Sequence, residues 1–474
     1  MPSLATALPV APRPAGTSVR VIAAAVVLTA FSSLFVVAGG PWIRLILALA
    51  ISFLLVTISL SRPALGITAT FVYLIFLATV RRLLIGPASW VSADPLLLVG
   101  PVVAATLMVK LFVLERRQLA PDLISKLVLI VLALTCLEVV NPAGGSVVAG
   151  LAGLLFMALP LLWFFVGREA LTDRALERLM AILIVLAMII AAYGLWQTLV
   201  GEPPWDAAWL NVTGGYGSLN VGNELRPFGT FASSSEYALF LGAGLAVSVA
   251  FCLRGRLVAA IPIPLLAVAL FLSSARGALV TAALAVVVLV GLRTGRALTA
   301  AAVTLSAVGV AFLALHFESS TLSREGGASS ALVSHEVGGI TEPLNPNSST
   351  LLVHVQLVIE GIESSLSHPL GKGTAVTNNA AGVNASSVNS QTQATEVDIS
   401  NAFVALGVAG AIYLLLVLTI LFAAARGYLK GHRELLPVIA LLVVGLGQWL
   451  IGGDYALAPL AWLLIGAVAA RSRL

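Results

Sequence analysis

The chain is predicted to be all-α: a polytopic transmembrane bundle of about 12–14 spans, with one long extracytoplasmic loop carrying an amphipathic helix. Three observations predict it. Of 474 residues, 59% are hydrophobic and only 10% charged, against about 25% charged in soluble chains. Apolar runs of about 17–23 residues, each long enough to cross a bilayer core, recur from one end to the other. Only one sizeable stretch, 318–400, is hydrophilic. The pattern excludes a set of water-soluble domains and a disulfide scaffold, and it lacks the alternation of barrel strands.

In chain order, residues 1–17 are Pro- and Ala-rich and read as a disordered cytoplasmic N-terminus. Residues 18–317 hold eleven candidate spans, starting near 18, 43, 64, 95, 123, 145, 177, 234, 257, 277 and 297, with an outer loop at 201–233. The long loop 318–400 follows. Residues 401–474 hold the last spans, starting near 401, 434 and 455. The first run is too long for a signal-peptide core and is kept as a helix.

Charge sets the orientation. With the N-terminus inside, the cytoplasmic connections collect Arg116, Arg117, Arg168, Arg174, Arg178, Arg254, Arg256, Arg293, Arg296, Arg426, Lys430 and Arg433, as the positive-inside rule demands. The outer connections hold few basic residues, and the Arg81–Arg82 pair is the main exception. The formal net charge of +5 is ordinary for such a protein and gives no sign of nucleic-acid binding. Cys136 and Cys252 fall in apolar runs and read as small buried hydrophobes. No Cys/His cluster and no HExxH is present, so neither a metal nor a cofactor is expected.

Within the long loop, Leu351, Val355, Val358, Ile359, Ile362 and Leu366 recur at helical spacing opposite Gln356, Glu360, Glu363 and Ser367. This helix lies on the outer membrane surface or caps a cavity, and Pro369 ends it.

A few charges are not explained by topology. Arg276 lies in a minimal turn between two spans. There an arginine costs from about 2.5 kcal/mol upward unless it is paired or faces water. Arg226 precedes the eighth span on the same side, in RPFGTF, and Ser233, Ser234 and Ser235 can cap the helix that follows. Two guanidiniums on one face can grip a pyrophosphate bidentately. Ser235, Glu236 and His368 border this face. Glu396 and Asp398 open the twelfth span on the same side, either as complements of the helix dipole or as a general base. His354 borders the apolar stripe, and His316 and His335 read as solvated or interfacial imidazoles.

Three ordered segments, RPFGTF (226–231), SSARGAL (273–279) and a long outer loop with HPLGKG (368–373) followed by GVAG (407–410), resemble the O-antigen ligase / O-antigen polymerase family of bacterial membrane glycosyltransferases. The resemblance covers roughly residues 220–420. It implies transfer of a glycan from a polyprenyl (undecaprenyl) pyrophosphate to an acceptor hydroxyl on a glycan, lipid or protein. Transfer would invert the sugar without a metal, at the outer face of the bacterial cytoplasmic membrane. Arg226 and Arg276 would hold the pyrophosphate. Two departures stand out. In the ligases a His–Asn pair opens the helix eleven residues before the glycine, whereas Glu396 stands at that place before Gly407. Glu396, Asp398 and His354 are therefore all candidates for the base. The Pro–Asn pair usual after GTF is replaced by Ser234–Ser235. Outside the family, the helix count also fits a polysaccharide or lipid-linked glycan flippase, or a non-catalytic envelope scaffold. A transporter, however, is expected to carry repeat symmetry and midplane charges.

Overall fold

The computed structural model describes residues 42–86, 89–91, 94–119, 122–144, 146–213, 220–221, 224–296, 328–345, 351–377, 395, 397–450 and 455–472. The expected first and eleventh spans, His316 and Glu396 lie outside them. The described chain is an all-α bundle, and a two-residue hairpin (β1 Asn220–Val221, β2 Glu224–Leu225) is its only sheet. Among the described residues nine helices are long and apolar enough to cross a bilayer, and three apolar helices are shorter. Each expected start on a described residue has an apolar helix at or near it. The protein is thus a multi-pass membrane protein.

The elements follow in order. They are α1 (Trp42–Ser61), α2 (Pro63–Leu83), α3 (Val99–Met108), α4 (Leu123–Leu137), α5 (Val147–Ala170) and α6 (Asp173–Leu199). Then come the short α7 (Pro204–Thr213), α8 (Ser234–Leu253), α9 (Ile263–Leu272), α10 (Arg276–Thr294), α11 (Ala328–Thr341) and α12 (Leu351–Ser367). The last four are α13 (Asp398–Leu406), α14 (Gly410–Leu429), α15 (Leu435–Val444) and α16 (Leu457–Ser472). Helix α8 is central, with 78% of its apolar window buried, against 22% for α10 at the periphery. Helices α5 and α16 cross most closely, where Gly167 and Gly466 let the backbones approach. Large apolar side chains such as Phe53, Leu54, Val185, Val280 and Phe422 point outward, as lipid-facing positions do. Cys136 is exposed and Cys252 half-buried, not buried as expected. In a bilayer both the core and the lipid face are apolar, so hydropathy does not separate them.

The long loop differs from its expected content. Its described residues hold two helices, not one. Helix α12 follows the expected stripe and leaves Leu351, Val355, Ile359 and Leu366 exposed. It packs on α13, where Gly361 lies against Thr395 and Ser400. Helix α11 was not anticipated. Ser329, Ser330, Gly338 and Gly339 lower its helical signal, yet Val333 and Val337 bury one face against Phe271 and Leu279, and Leu332 is buried too.

HPLGKG and GVAG, far apart in sequence, interlock. The twelfth span breaks at Gly407, whose φ is 61°, a left-handed conformation that favours glycine. A Cβ there would overlap the Pro369 carbonyl oxygen and the Gly371 amide. The break frees two carbonyls, and the loop supplies their partners. Lys372 N donates to Val404 O at 2.9 Å and Gly373 N to Ala405 O at 3.1 Å, while Val408 N donates to Pro369 O at 3.0 Å. Close packing at the glycine is therefore made by the Pro369–Gly373 loop. Gly407→Ala is expected to cost about 1–3 kcal/mol from the strained backbone alone, with more from the overlap. A fall in the melting temperature of the detergent-solubilised chain measures it, and an unchanged melting point would contradict the interlock.

Candidate functional site

Arg226 and Arg276 reach one place from two elements. The α9–α10 turn is only Ser273–Ala275, and Ser274 sits at φ 54°, unusual for a residue with a side chain. The turn aims the Ser273 carbonyl at Arg226, whose Nε donates to it at 3.0 Å. Arg276 is the first residue of α10. The loop bearing Arg226 is held from below. Ser234 Oγ donates to Arg226 O at 3.3 Å. Ser233 caps α8, accepting from Glu236 N at 3.1 Å, as the serine run predicts.

Helix α11 covers both arginines. It lies so close to Arg276 that a Cβ on Gly339 would overlap the guanidinium. From it Glu336, 0% exposed, brings Oε2 to 3.7 Å from Arg276 Nε and 3.5 Å from Ser274 Oγ. His335 shares a 2.8 Å hydrogen bond between Nδ1 and Ser274 Oγ. Arg276 Nη2 lies 3.0 Å from His335 Nε2 and donates to the His335 carbonyl at 3.1 Å. A guanidinium only donates, and Arg276 Nη2 also lies 3.3 Å from Nδ1; its shorter contact, to Nε2, assigns the lone pair there and leaves the Nδ1 proton for Ser274 Oγ.

The charges act on one another. Burial, and then the positive charges of Arg276 and Arg226, hold the His335 imidazole below its ordinary value, so it is neutral near pH 7. Burial pushes the Glu336 carboxyl up to about 7 against the pull of both arginines and the Ser274 hydroxyl. Burial also lowers Arg226, offset by Glu336 and reinforced by Arg276.

The other expected site residues fall elsewhere. Asp398 is buried, and its Oδ2 accepts from Leu450 N at 2.6 Å and from the Tyr413 hydroxyl at 3.4 Å. Its own amide donates to Gly447 O at 2.7 Å. It ties the start of α13 to the segment after α15. Glu236 is likewise buried and accepts from Ala456 N at 3.3 Å, just before α16. His354 is exposed on α12, which packs on α13 and not on the arginines. His368 is exposed beside Ser367, and Ser235 is exposed on α8. The site therefore brings together Arg226, Arg276, Ser274, His335 and Glu336. Sequence reasoning placed His335 in a polar loop and passed over Glu336. The signal available was the apolar spacing of Leu332, Val333 and Val337 beside them.

A second charged cluster explains the Arg81–Arg82 exception. Arg44 and Arg81 both pair with Asp94, the latter at 3.2 Å. Asp94 also accepts from Leu96 N at 3.0 Å and so caps the turn leading to α3. Arg82 Nε lies 3.2 Å from Asp206 of α7, and Arg82 Nη2 donates to Gly229 O at 2.9 Å. Gln197 Oε1 accepts from the amides of Phe228 and Gly229 at 3.2 and 2.8 Å. The two arginines are thus internal ion-pair partners, and Arg82 with Gln197 clamps the loop bearing Arg226.

A scan against protein-family models finds no match to the chain, and a comparison with curated proteins finds none either. Among the described residues no group of three or more His, Cys, Asp or Glu side chains could hold a metal.

Proposed function

We propose that the protein is a membrane glycosyltransferase that moves a glycan from a polyprenyl pyrophosphate to an acceptor hydroxyl, as a ligase or polymerase of envelope polysaccharide. The observation that carries the reading is the convergence of Arg226 and Arg276, both half-buried, on one spot, with the exposed, neutral imidazole of His335 beside them. Two guanidiniums offer fixed, permanently charged forks for the phosphoryl oxygens. Held in place by the turn and by α11, they stabilise the charge that builds on the pyrophosphate as the sugar leaves.

The step balances as follows. The acceptor O–H gives its proton to His335 Nε2, released when Arg276 turns onto the phosphate. The acceptor oxygen bonds to the anomeric carbon. The bond from that carbon to the phosphate oxygen breaks, its electron pair staying on the pyrophosphate, and attack from the opposite face inverts the sugar. His335 is preferred to Asp398 and His354 as the candidate base, because it alone of these touches an arginine of the site; Glu396 lies outside the described residues. The orientation that faces this site outward rests on the arginine asymmetry of the loops.

The test is reconstitution in liposomes with a polyprenyl-pyrophosphate-linked glycan and an acceptor. Transfer is expected to proceed at full rate in EDTA and to yield the inverted linkage. Movement of the intact donor between leaflets without transfer would replace this reading by the transporter.

A further inference from the structure

Glu336 is the one described carboxylate placed against the arginines, and α11 has no ion pair with them besides it. Its side chain is wholly buried between Ser274 and Arg276, and its Oε1 and the Arg276 Nε find no hydrogen-bond partner among the described residues. Each is a buried polar atom without a hydrogen bond, a costly arrangement. A doubly charged anion laid across the arginines would gain a donor in the Arg276 Nε and be repelled by the Glu336 Oε1.

We propose that Glu336 is an internal stand-in for the phosphate, so that an anionic ligand enters the Arg226–Arg276 site only with uptake of one proton by the Glu336 carboxyl. This rests on the reading of the arginines as a pyrophosphate site and deepens it. The ligand class is a pyrophosphate substituted at both ends, as in a lipid-linked sugar, which carries two fixed negative charges. With Glu336 ionised, Arg226 and Arg276 leave a single net positive charge for it. With Glu336 protonated they offer two, and the carboxyl becomes a hydrogen-bond donor to the incoming phosphoryl oxygen.

The groups facing Glu336 are Arg276 and Ser274 from α10 and its turn, Arg226 from the preceding loop, and His335 on its own helix. Of these only His335 also titrates near neutrality. Its ordinary value is lowered, so its protonation falls in a more acidic range than that of Glu336, which burial pushes up to about 7. Glu336 thus gains its proton on the acid side of about pH 7, where the anion binds, and loses it as the pH rises, when the carboxylate competes with the anion.

The experiment measures binding of a short dialkyl pyrophosphate, whose charge does not change above about pH 3, to the full chain in detergent. Titration calorimetry is run between about pH 6.5 and about pH 8.5, in two buffers of different ionisation enthalpy. The wild type is expected to take up close to one proton per anion above neutrality and to weaken about tenfold per pH unit there. Glu336→Gln is expected to bind at the high-pH end more tightly than wild type, with a flat profile. Binding to wild type without proton uptake, or an equally steep profile in Glu336→Gln, overturns the stand-in role while leaving the arginine site standing. Absence of binding to both proteins at every pH overturns the arginine site and this inference together. The calorimetric proton count needs no variant, so it decides the matter even if Glu336→Gln folds poorly.

Discussion

Arg226→Ala and Arg276→Ala are each expected to lower the rate of glycan transfer by about 10²–10³-fold, the loss that follows removal of one preorganised donor to a developing oxyanion. The two losses should not add, because both groups act on the same pyrophosphate. Arginine-to-lysine changes should recover only part of the rate: an ammonium restores the charge without the planar fork. Each variant also removes a structural contact, Arg226 to the Ser273 carbonyl and Arg276 to Glu336 and His335. The measurement therefore pairs initial transfer rates with melting temperatures of the same preparations. A rate loss at unchanged stability supports the catalytic role. Wild-type rates in both alanine variants would remove the arginines from the mechanism.

The membrane architecture was legible because lipid and helix impose one periodic demand, an apolar run of sufficient length, on every span. The placement of Arg226 and Arg276 at one end was legible for a related reason. Charges are so scarce in this chain that any arginine outside a cytoplasmic loop needs an explanation. What the sequence hid is non-local. His335 and Glu336 sit on a helix rich in serine and glycine whose burial comes from Phe271 and Leu279, partners more than fifty residues away. Asp398 looked like a candidate base because it stands at the start of a helix. Its bonds to Leu450 N and Tyr413 come from segments that no local pattern joins to it. Similarly, Arg81 and Arg82 are anomalies only while charge is counted loop by loop. Pairing with Asp94 and Asp206 removes them from the topology count altogether.

That pairing leads to the second large effect, which is on stability. Asp206 is 0% exposed and serves three partners. Its Oδ2 accepts from the Tyr193 hydroxyl at 2.6 Å and Gln197 Nε2 at 2.8 Å, and Oδ1 faces Arg82 Nε at 3.2 Å. Asp206→Ala leaves the Arg82 guanidinium buried among Trp209, Phe228 and Gly229 O with no counter-charge, a change that costs about 3–5 kcal/mol. Folded proteins have only about 5–15 kcal/mol to lose, so the variant should melt far below wild type in detergent. The double variant Arg82→Leu/Asp206→Leu is expected to recover much of that loss, since it removes the stranded charge and its partner together. Its transfer rate should still stay low. Without Asp206, Gln197 loses the bond that orients its amide, and with Arg82 gone nothing binds Gly229 O from that side. The loop bearing Arg226 then keeps its sequence and loses its clamp. A double variant that regained stability and full transfer together would show that the buried pair supports the fold alone and has no part in holding Arg226 in place.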